Sequence, residues 1–371
     1  MSNQLRLGVL FGGRSGEHEV SLMSARSVVD ALNKAKYEVI EIGITKEGRW
    51  LYGDGALRAF ESGAHESLHS VMLIPEPERA ALFRQEIGDA LEILLELDVI
   101  FPVLHGTFGE DGAIQGLFEL AELPYVGAGV LASSVAMDKG LFKDVMRAHA
   151  IPVLDWIVLD TSELQVDLDG LLEKAERLGD YPLFTKPANM GSSVGITRCM
   201  ERSTLHEGLM EAAQYDRRIL VERGLDAREI EVSVLGNEEV KASVPGEIVP
   251  SDDFYSYKAK YIDDASELMI PAEIDEETAK KAQQLAIQAY RAIDGAGMAR
   301  VDFLLDKVTG DLYLNEINTI PGFTQISMFP KLWEASALPY VELLDRLIEL
   351  AFMRHAQKSG LLRSYEEEGT L

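Results

Sequence analysis

Four residues near the end of the chain have types and spacing that could do chemistry together: Arg300, Asp302, Glu316 and Asn318. They sit in two apolar runs, 301–305 and 312–317, joined by the polar turn Asp306-Lys-Val-Thr-Gly-Asp, a pattern that predicts an antiparallel hairpin. A register pairing Asp306 with Leu312 sets Asp302 directly opposite Glu316, and period-2 alternation brings Arg300 and Asn318 to the same face. Two facing carboxylates repel and are costly to bury unless a cation joins them. Hard oxygen ligands of this kind suit Mg²⁺, which usually binds together with substrate phosphates. The hairpin therefore reads as a magnesium-nucleotide site, against the alternative that both acids simply face water.

A second group of residues suits phosphate. Residues 183–187 (LFTKP) read as a strand carrying an inward-reaching Lys186, followed by the small-residue loop Ala188-Asn-Met-Gly191-Ser192-Ser193-Val194-Gly195 and a return strand over 196–198. Amides and hydroxyls in such a loop donate to phosphate while the lysine offsets charge; a plain hairpin turn is the alternative. Glu222, in the run 219–225, could accept from a ribose or amino group or be an ordinary edge charge. Two loops nearer the start, GGRSGEHEV at 12–20 after a strand over 5–11, and HGTFGEDG at 105–112 after the run 98–104, lie where α/β sheets place ligands. Neither is the dinucleotide G-x-G-x-x-G, and no P-loop occurs. The place of His105 at a strand end beside glycines favours a ligand loop over a purely structural histidine.

The elements that must position these groups follow from apolar periodicity. Helices are expected over 21–33, over 113–121 with Asp111 as cap, over 133–149, over 276–293 and over 341–351, with strands over 39–44 and 229–235. In the 133–149 helix, Asp138, Lys139 and Lys143 read by default as a solvated face. Residues 45–96 read as loops and decoration, and the i,i+4 pair His65 and His69 as solvated rather than metal-binding. Residues 245–271 contain FYSYKAKY at 254–261 among many acids. Those acids argue against single-stranded nucleic acid and for a mobile loop closing over a site.

The composition is that of a globular protein, with 371 residues, 47% hydrophobic and 8% aromatic, enough for two or three domains. A formal charge of -27 opposes nucleic acid or an anionic membrane as partner. Cys199 is the only cysteine, so no internal disulfide forms. The start MSNQLRLGVLFGG has no signal-peptide stretch, and no run approaches a membrane span, so a soluble cytoplasmic protein is expected.

Taken in order, GGRSGEHEVS, LHGTFGEDGAIQG, PYVGAGV with MDK, FTKP with GSSVG, FYSYKAKY, and ARVDF followed by NEINTIPG resemble D-alanine:D-alanine ligase, a family of the ATP-grasp superfamily. The resemblance spans residues 12–322. It implies an α/β protein with a three-domain ATP-grasp fold: an N-terminal parallel-sheet domain (1–132), a central α+β domain (133–235) and a C-terminal α+β domain (236–371) with a mobile loop at 250–268. ATP would lie between the last two. Lys139 and Lys186 would contact phosphates under the 191–195 loop; Glu222, Arg223, Leu225 and Glu229 would line the adenine and ribose pocket; Ser192, Ser193, Lys260 and Asn315 would add ATP contacts.

By the same resemblance Asp302, Glu316 and Asn318 would bind two Mg²⁺ ions, with Mn²⁺ able to substitute. Glu19 would hold the first D-alanine's ammonium, with His105 near that subsite and Ser192 and Tyr261 linked to Glu19. Arg300 and the Gly322 amide would stabilise the reacting carboxylate oxygens, and Ser327 and Met328 would receive the second D-alanine's carboxylate. The implied reaction is ATP-dependent ligation of two D-alanines through an acyl phosphate, for peptidoglycan synthesis, by a homodimer. Ligation of D-alanine to D-lactate or D-serine is the nearest alternative; Tyr261 favours the dipeptide. A nucleotide-binding regulatory protein is disfavoured, because a binder needs no oxyanion stabiliser such as Arg300. Arg223 stands where the family often has lysine.

Overall fold

The computed structural model describes residues 4–77, 79–84, 91–249 and 267–362. Leu5–Gly12 is apolar at successive positions, so both its faces need cover, and it takes the interior of a five-stranded sheet. It pairs in parallel with Tyr37–Ile44 and Val99–Pro102, while Trp50–Tyr52 and His69–Ser70 extend the sheet in antiparallel fashion. The described residues of the stretch expected as loops over 45–96 thus carry regular structure. It supplies those two strands, the helix Ala56–Ser62, and a separate antiparallel sheet of Met72–Leu73, Ala81–Arg84 and Glu92–Glu96. Its strands are 2 to 5 residues long, too short for alternation to stand out in sequence.

Two helices differ from expectation in ways that matter for the site. The first runs His18–Ala31 and begins three residues earlier than its apolar stripe suggests, with Glu17 as the N-cap position and Glu19 in the first turn. The helix expected over 133–149 is two helices, Val130–Met137 and Lys139–Ala148, broken at Asp138. Asp138 adopts an extended conformation and accepts from Leu141 N at 2.8 Å, so it caps the second helix instead of lying within one. Asp111 does accept from Ala113 N at the start of Ala113–Leu120.

A four-stranded antiparallel sheet follows, in the order Thr197–Cys199, Leu183–Pro187, Arg218–Arg223, Trp156–Asp160. Ala227–Leu235, expected to end the central unit, is instead hydrogen-bonded into the middle of a third sheet beside Met298–Asp306. There it also pairs with Gly246–Val249 and Lys241–Ala242, and Glu267–Met269 forms the far edge. Residues 267 and 268 of the expected mobile loop are therefore strand; its remaining residues, with Lys260 and Tyr261, lie outside the described residues.

The hairpin of Met298–Asp306 and Leu312–Asn318 pairs Asp302 with Glu316 and Arg300 with Asn318, as alternation requires. Toward the turn the register differs by one from expectation, because Phe303 faces Leu314 and Asn315 is the extra residue of a β-bulge. The helix Glu276–Ala292, capped by Asp275, covers this sheet with Ala282, Ala286, Ala289 and Tyr290. The last helix, Tyr340–Ser359, returns to the first sheet, packing Leu343, Leu347 and Ile348 with Leu7, Val9 and Phe101. No described helix is long and apolar enough to cross a membrane.

Candidate active site

The third sheet, the loops that follow the first sheet's strands and the 190–192 loop beside the central sheet line a cleft of about 400 Å³. On the hairpin wall, Arg300 donates to both oxygens of Asp302 (2.8 and 2.7 Å) and its Nε lies 2.9 Å from Glu231 Oε2. Asn318 Nδ2 donates to Asp302 Oδ2 at 2.9 Å, and Glu316 stands across the ladder from Asp302. Two carboxylates therefore hold one guanidinium in a largely buried setting, with a third, Glu316, on the facing strand. Hard oxygens of this kind fit a divalent cation that is shared with substrate phosphates. Among the described residues no group of three or more His, Cys, Asp or Glu is placed to hold a metal ion by itself.

The central sheet carries the opposite imbalance. Lys186 and Glu222 lie on neighbouring strands, and Glu222 pairs with both Lys186 and Lys143, the latter at 2.9 Å. Burial raises the pKa of Glu222, but the two ammoniums outweigh it and hold the carboxyl down at about 2. Burial also lowers the Lys143 pKa against the opposing pull of Glu222. Lys143 is 2% exposed, not on a solvated face. The break at Asp138 resets the helical phase and turns Lys143 inward with Phe142 and Met146; running one helix through the sequence hides that phase. Next to it, Lys139 Nζ donates to Met190 O at 2.6 Å, which places it under the glycine-serine loop. Ser192 and Ser193 in that loop adopt positive φ, 51° and 57°, an unusual backbone for non-glycine residues.

At the N-terminal corner the structure corrects one residue. Glu19 points outward to Lys46 at 2.7 Å with its side chain 64% exposed, whereas Glu17 is buried in the cleft and hydrogen-bonded by Ser192. Because the helix starts at His18, its first turn carries Glu19 to the outer face. Ser15 Oγ accepts from Glu17 N at 3.0 Å and donates to His105 O at 2.8 Å, which fixes the entry loop. The backbone must come close here: a Cβ at Gly106, where φ is +74°, would lie 2.3 Å from Glu17 Oε2, and one at Gly191 would lie 2.9 Å away. His105 is buried with both ring nitrogens engaged, Nδ1 with Ile320 O (2.9 Å) and Nε2 with Ser24 Oγ (3.0 Å). Burial and then Glu17 push the Glu110 carboxyl up to about 8.

Of the residues expected from sequence, His105, Lys139, Ser192, Arg300, Glu316, Asn318, Gly322, Ser327 and Met328 line the cleft. Asp302 lies directly behind Arg300 and Asn318. Lys186 and Glu222 form the adjoining ion cluster, and Arg223 ends the same strand as Glu222. Glu229 shares the sheet face of Glu231, two residues along its strand. Ser193, Leu225 and Asn315 do not border the cleft. Ser327 precedes the helix Met328–Ala335, whose N-terminus opens on the cleft. Sequence reasoning missed Glu17, Glu110, Lys143 and Glu231. For Glu231 the signal was present: Glu229, Glu231 and Ser233 alternate with apolar residues, and that polar face looks into the cleft instead of out to water.

Known proteins extend this picture. Residues 6–128 match the family described as D-ala D-ala ligase N-terminus, and residues 145–349 match D-ala D-ala ligase C-terminus. The chain is 51% identical to the D-alanine–D-alanine ligase of Thermoanaerobacter sp. (strain X514) over 95% of its own length and 98% of that protein's. It is 47% identical to the ligase of the same name from Natranaerobius thermophilus, over 98% and 99%. Among solved structures, the D-alanine-D-alanine ligase of Coxiella burnetii superposes with a TM-score of 0.81 at 38% identity, covering 96% of each chain. The D-Ala:D-Ser ligase of Enterococcus faecalis superposes with a TM-score of 0.83 at 34% identity, covering 94% of this chain and 99% of the other. With its three sheets arranged as an ATP-grasp fold around one cleft, the chain belongs to the D-alanine–D-alanine ligase family.

Proposed function

We propose that the cleft joins two D-alanines into D-alanyl-D-alanine for peptidoglycan precursor synthesis, coupled to cleavage of ATP to ADP and phosphate. The observation that carries this reading is the pairing of opposite chemistries around one cleft: Lys139 under the glycine-serine loop, with the Lys186–Glu222–Lys143 cluster adjoining, and Glu231, Asp302 and Glu316 with Arg300 on the hairpin side. A metal-nucleotide complex has the complementary polarity, with phosphates toward the lysines and cation toward the acids. A carboxylate is a poor acceptor for an amine. The first D-alanine's carboxylate oxygen therefore attacks the γ-phosphorus to give an acyl phosphate and ADP; the second's deprotonated amine attacks the acyl carbon, and phosphate leaves.

Lys139 and Lys186 offset phosphate charge, and the strand ends at Glu222, Arg223, Leu225 and Glu229 hold adenine and ribose, with Asn315 at the bulge. Asp302, Glu316 and Asn318 would hold Mg²⁺, taken as two ions with Mn²⁺ able to substitute, which would supply charge neutralisation at the transferred phosphoryl group. Glu17, not Glu19, takes the first D-alanine's ammonium, with Ser192 linking it to the loop. Arg300 and the Gly322 amide stabilise the oxyanion of the tetrahedral species. The helix N-terminus at Ser327 and Met328 receives the second carboxylate. Burial of the cleft under its loops keeps water from the acyl phosphate. The working unit in this reading is a cytoplasmic homodimer.

ADP release from MgATP by purified protein given D-alanine alone, with dipeptide formed and L-alanine silent, is the expected result. The likeness to the Enterococcus faecalis D-Ala:D-Ser ligase favours one second reading, in which D-serine is the second substrate. Release only on adding D-serine, or D-lactate for the depsipeptide variant, would replace the first reading with that one.

A further inference from the structure

The turn between the metal hairpin and the helix Met328–Ala335 is held at three points by residues of the first sheet's surroundings. His105 Nδ1 meets Ile320 O at 2.9 Å; Ile320 N donates to Glu110 Oε1 at 3.1 Å; Phe323 N donates to Ser24 Oγ at 3.3 Å. A carbonyl oxygen only accepts, so Nδ1 carries the proton and Nε2 of the neutral ring accepts from Ser24 Oγ at 3.0 Å. Burial lowers the His105 pKa, which agrees with a neutral ring. Glu110 is fixed in turn by Gly106 N, donating to Oε2 at 2.6 Å. Both polar groups of Ile320 and the amide of Phe323 are thus taken, and Gly322 lies between these fixed points. Tyr340 Oη donates to Phe323 O at 2.7 Å and the Ile320 and Phe323 side chains are buried in the core, whereas Gly322 has no side chain and Pro321 no N–H, so the backbone between them depends on these fixed points.

We propose that Ser24, His105 and Glu110 are positioning residues that clamp the 320–323 turn and so aim the Gly322 amide at the oxyanion of the ligation step. The proposal rests on the ligase reading for the role of Gly322, but the clamp itself is a property of the unliganded protein. His105 acts through Ile320 rather than on substrate. An amide donor displaced by about 1 Å loses most of its effect on a transition state, a cost near 100-fold in rate.

The test uses the full chain and four variants: Ser24→Ala, His105→Ala, His105→Asn and Glu110→Gln. The asparagine side-chain N–H can replace Nδ1–H as donor to Ile320 O. Deuterium uptake by the peptide spanning 318–325, measured without substrate, is expected to rise in Ser24→Ala, His105→Ala and Glu110→Gln, and to return toward wild type in His105→Asn. For folded His105→Ala, kcat is expected to fall about 100-fold while the KM for ATP stays within about twofold; His105→Asn should recover about tenfold or more of the loss. Unchanged uptake at 318–325 in all variants would overturn the clamp. So would equal inactivity of His105→Asn and His105→Ala, which would give the ring a direct role on substrate. Wild-type protein that makes no dipeptide from D-alanine would sink the ligase reading instead, and the uptake comparison would still decide whether the clamp exists.

Discussion

The hairpin wall of the cleft and the ion cluster adjoining it use the same pair of chemistries in opposite proportion. On the third sheet Glu231 and Asp302 hold Arg300, with Glu316 across the ladder from Asp302; on the central sheet Lys143 and Lys186 flank Glu222. Each wall in isolation buries an unbalanced charge, which costs several kcal/mol. Each wall's excess is what the other end of a metal-nucleotide complex would neutralise. In the proposed reading, charge that destabilises the free protein would be turned into affinity for the ligand, with internal ion pairs holding it partly in check until then. The walls differ in how they achieve this. Arg300 grips Asp302 through a two-point contact near the cleft, while Lys143 is sealed in the interior and Lys186 lies nearer its edge.

If the acidic wall is the metal wall, Asp302→Asn or Glu316→Gln should lower kcat by about 1000-fold or more while circular dichroism and thermal unfolding stay near wild type. Full activity in either variant would remove the metal assignment. The basic wall should respond differently. Lys143→Met strips a buried partner from Glu222 and should cost roughly 3 kcal/mol of unfolding free energy, read by urea titration. An effect on the KM for ATP without loss of stability would mean that Lys143 reaches the ligand and does not serve Glu222.

The corner between the walls offers a sharper comparison of two neighbouring acids. Glu17→Gln should lower kcat/KM for D-alanine by about 10- to 100-fold, the worth of a charge-assisted contact. Glu19→Gln should leave it within about twofold, since its surface pair with Lys46 is worth little. The reverse pattern would restore Glu19 to the site. The smallest effects are in pH dependence, and they carry opposite signs. Glu222 has its folded pKa depressed to about 2, so its contribution is complete above about pH 4.5 and is lost as pH falls toward 2. Glu110, facing Glu17, His105 and Arg300, is raised to about 8, so the folded state holds its proton longer and stability declines as pH rises from about 4.5 through 8. The Glu110→Gln variant should flatten the thermal-midpoint slope between pH 5 and pH 8, roughly, and leave the acid limb unchanged. An unaltered slope would show that Glu110 ionises normally.

The strand-borne half of the site was legible because a strand's period of two is rigid: once 301–305 and 312–317 read as a hairpin, Arg300, Asp302, Glu316 and Asn318 had to share a face. Even the bulge at Asn315 left that end of the ladder intact. The helix-borne half was not. Glu19 was given by the resemblance, and the helix start at His18 turns it outward and leaves Glu17 in the cleft; breaking a helix at Asp138 turned Lys143 from solvent to core. Helical faces are fixed only after the caps are known, and short capping interactions leave a weak trace in sequence.

The sequence by itself determined the first strand with its glycine loop, the hairpin with its polar face, the helix that covers it and, through its ordered motifs, the family. Local backbone geometry and apolar periodicity suffice for those, as they act over a few residues. Only the tertiary structure decided that Ala227–Leu235 joins the third sheet, that Glu17 meets Ser192, and that Ser24, His105 and Glu110 hold a turn more than 200 residues away. Those contacts join segments remote in the chain, and burial of the whole core, not any local preference, brings them together.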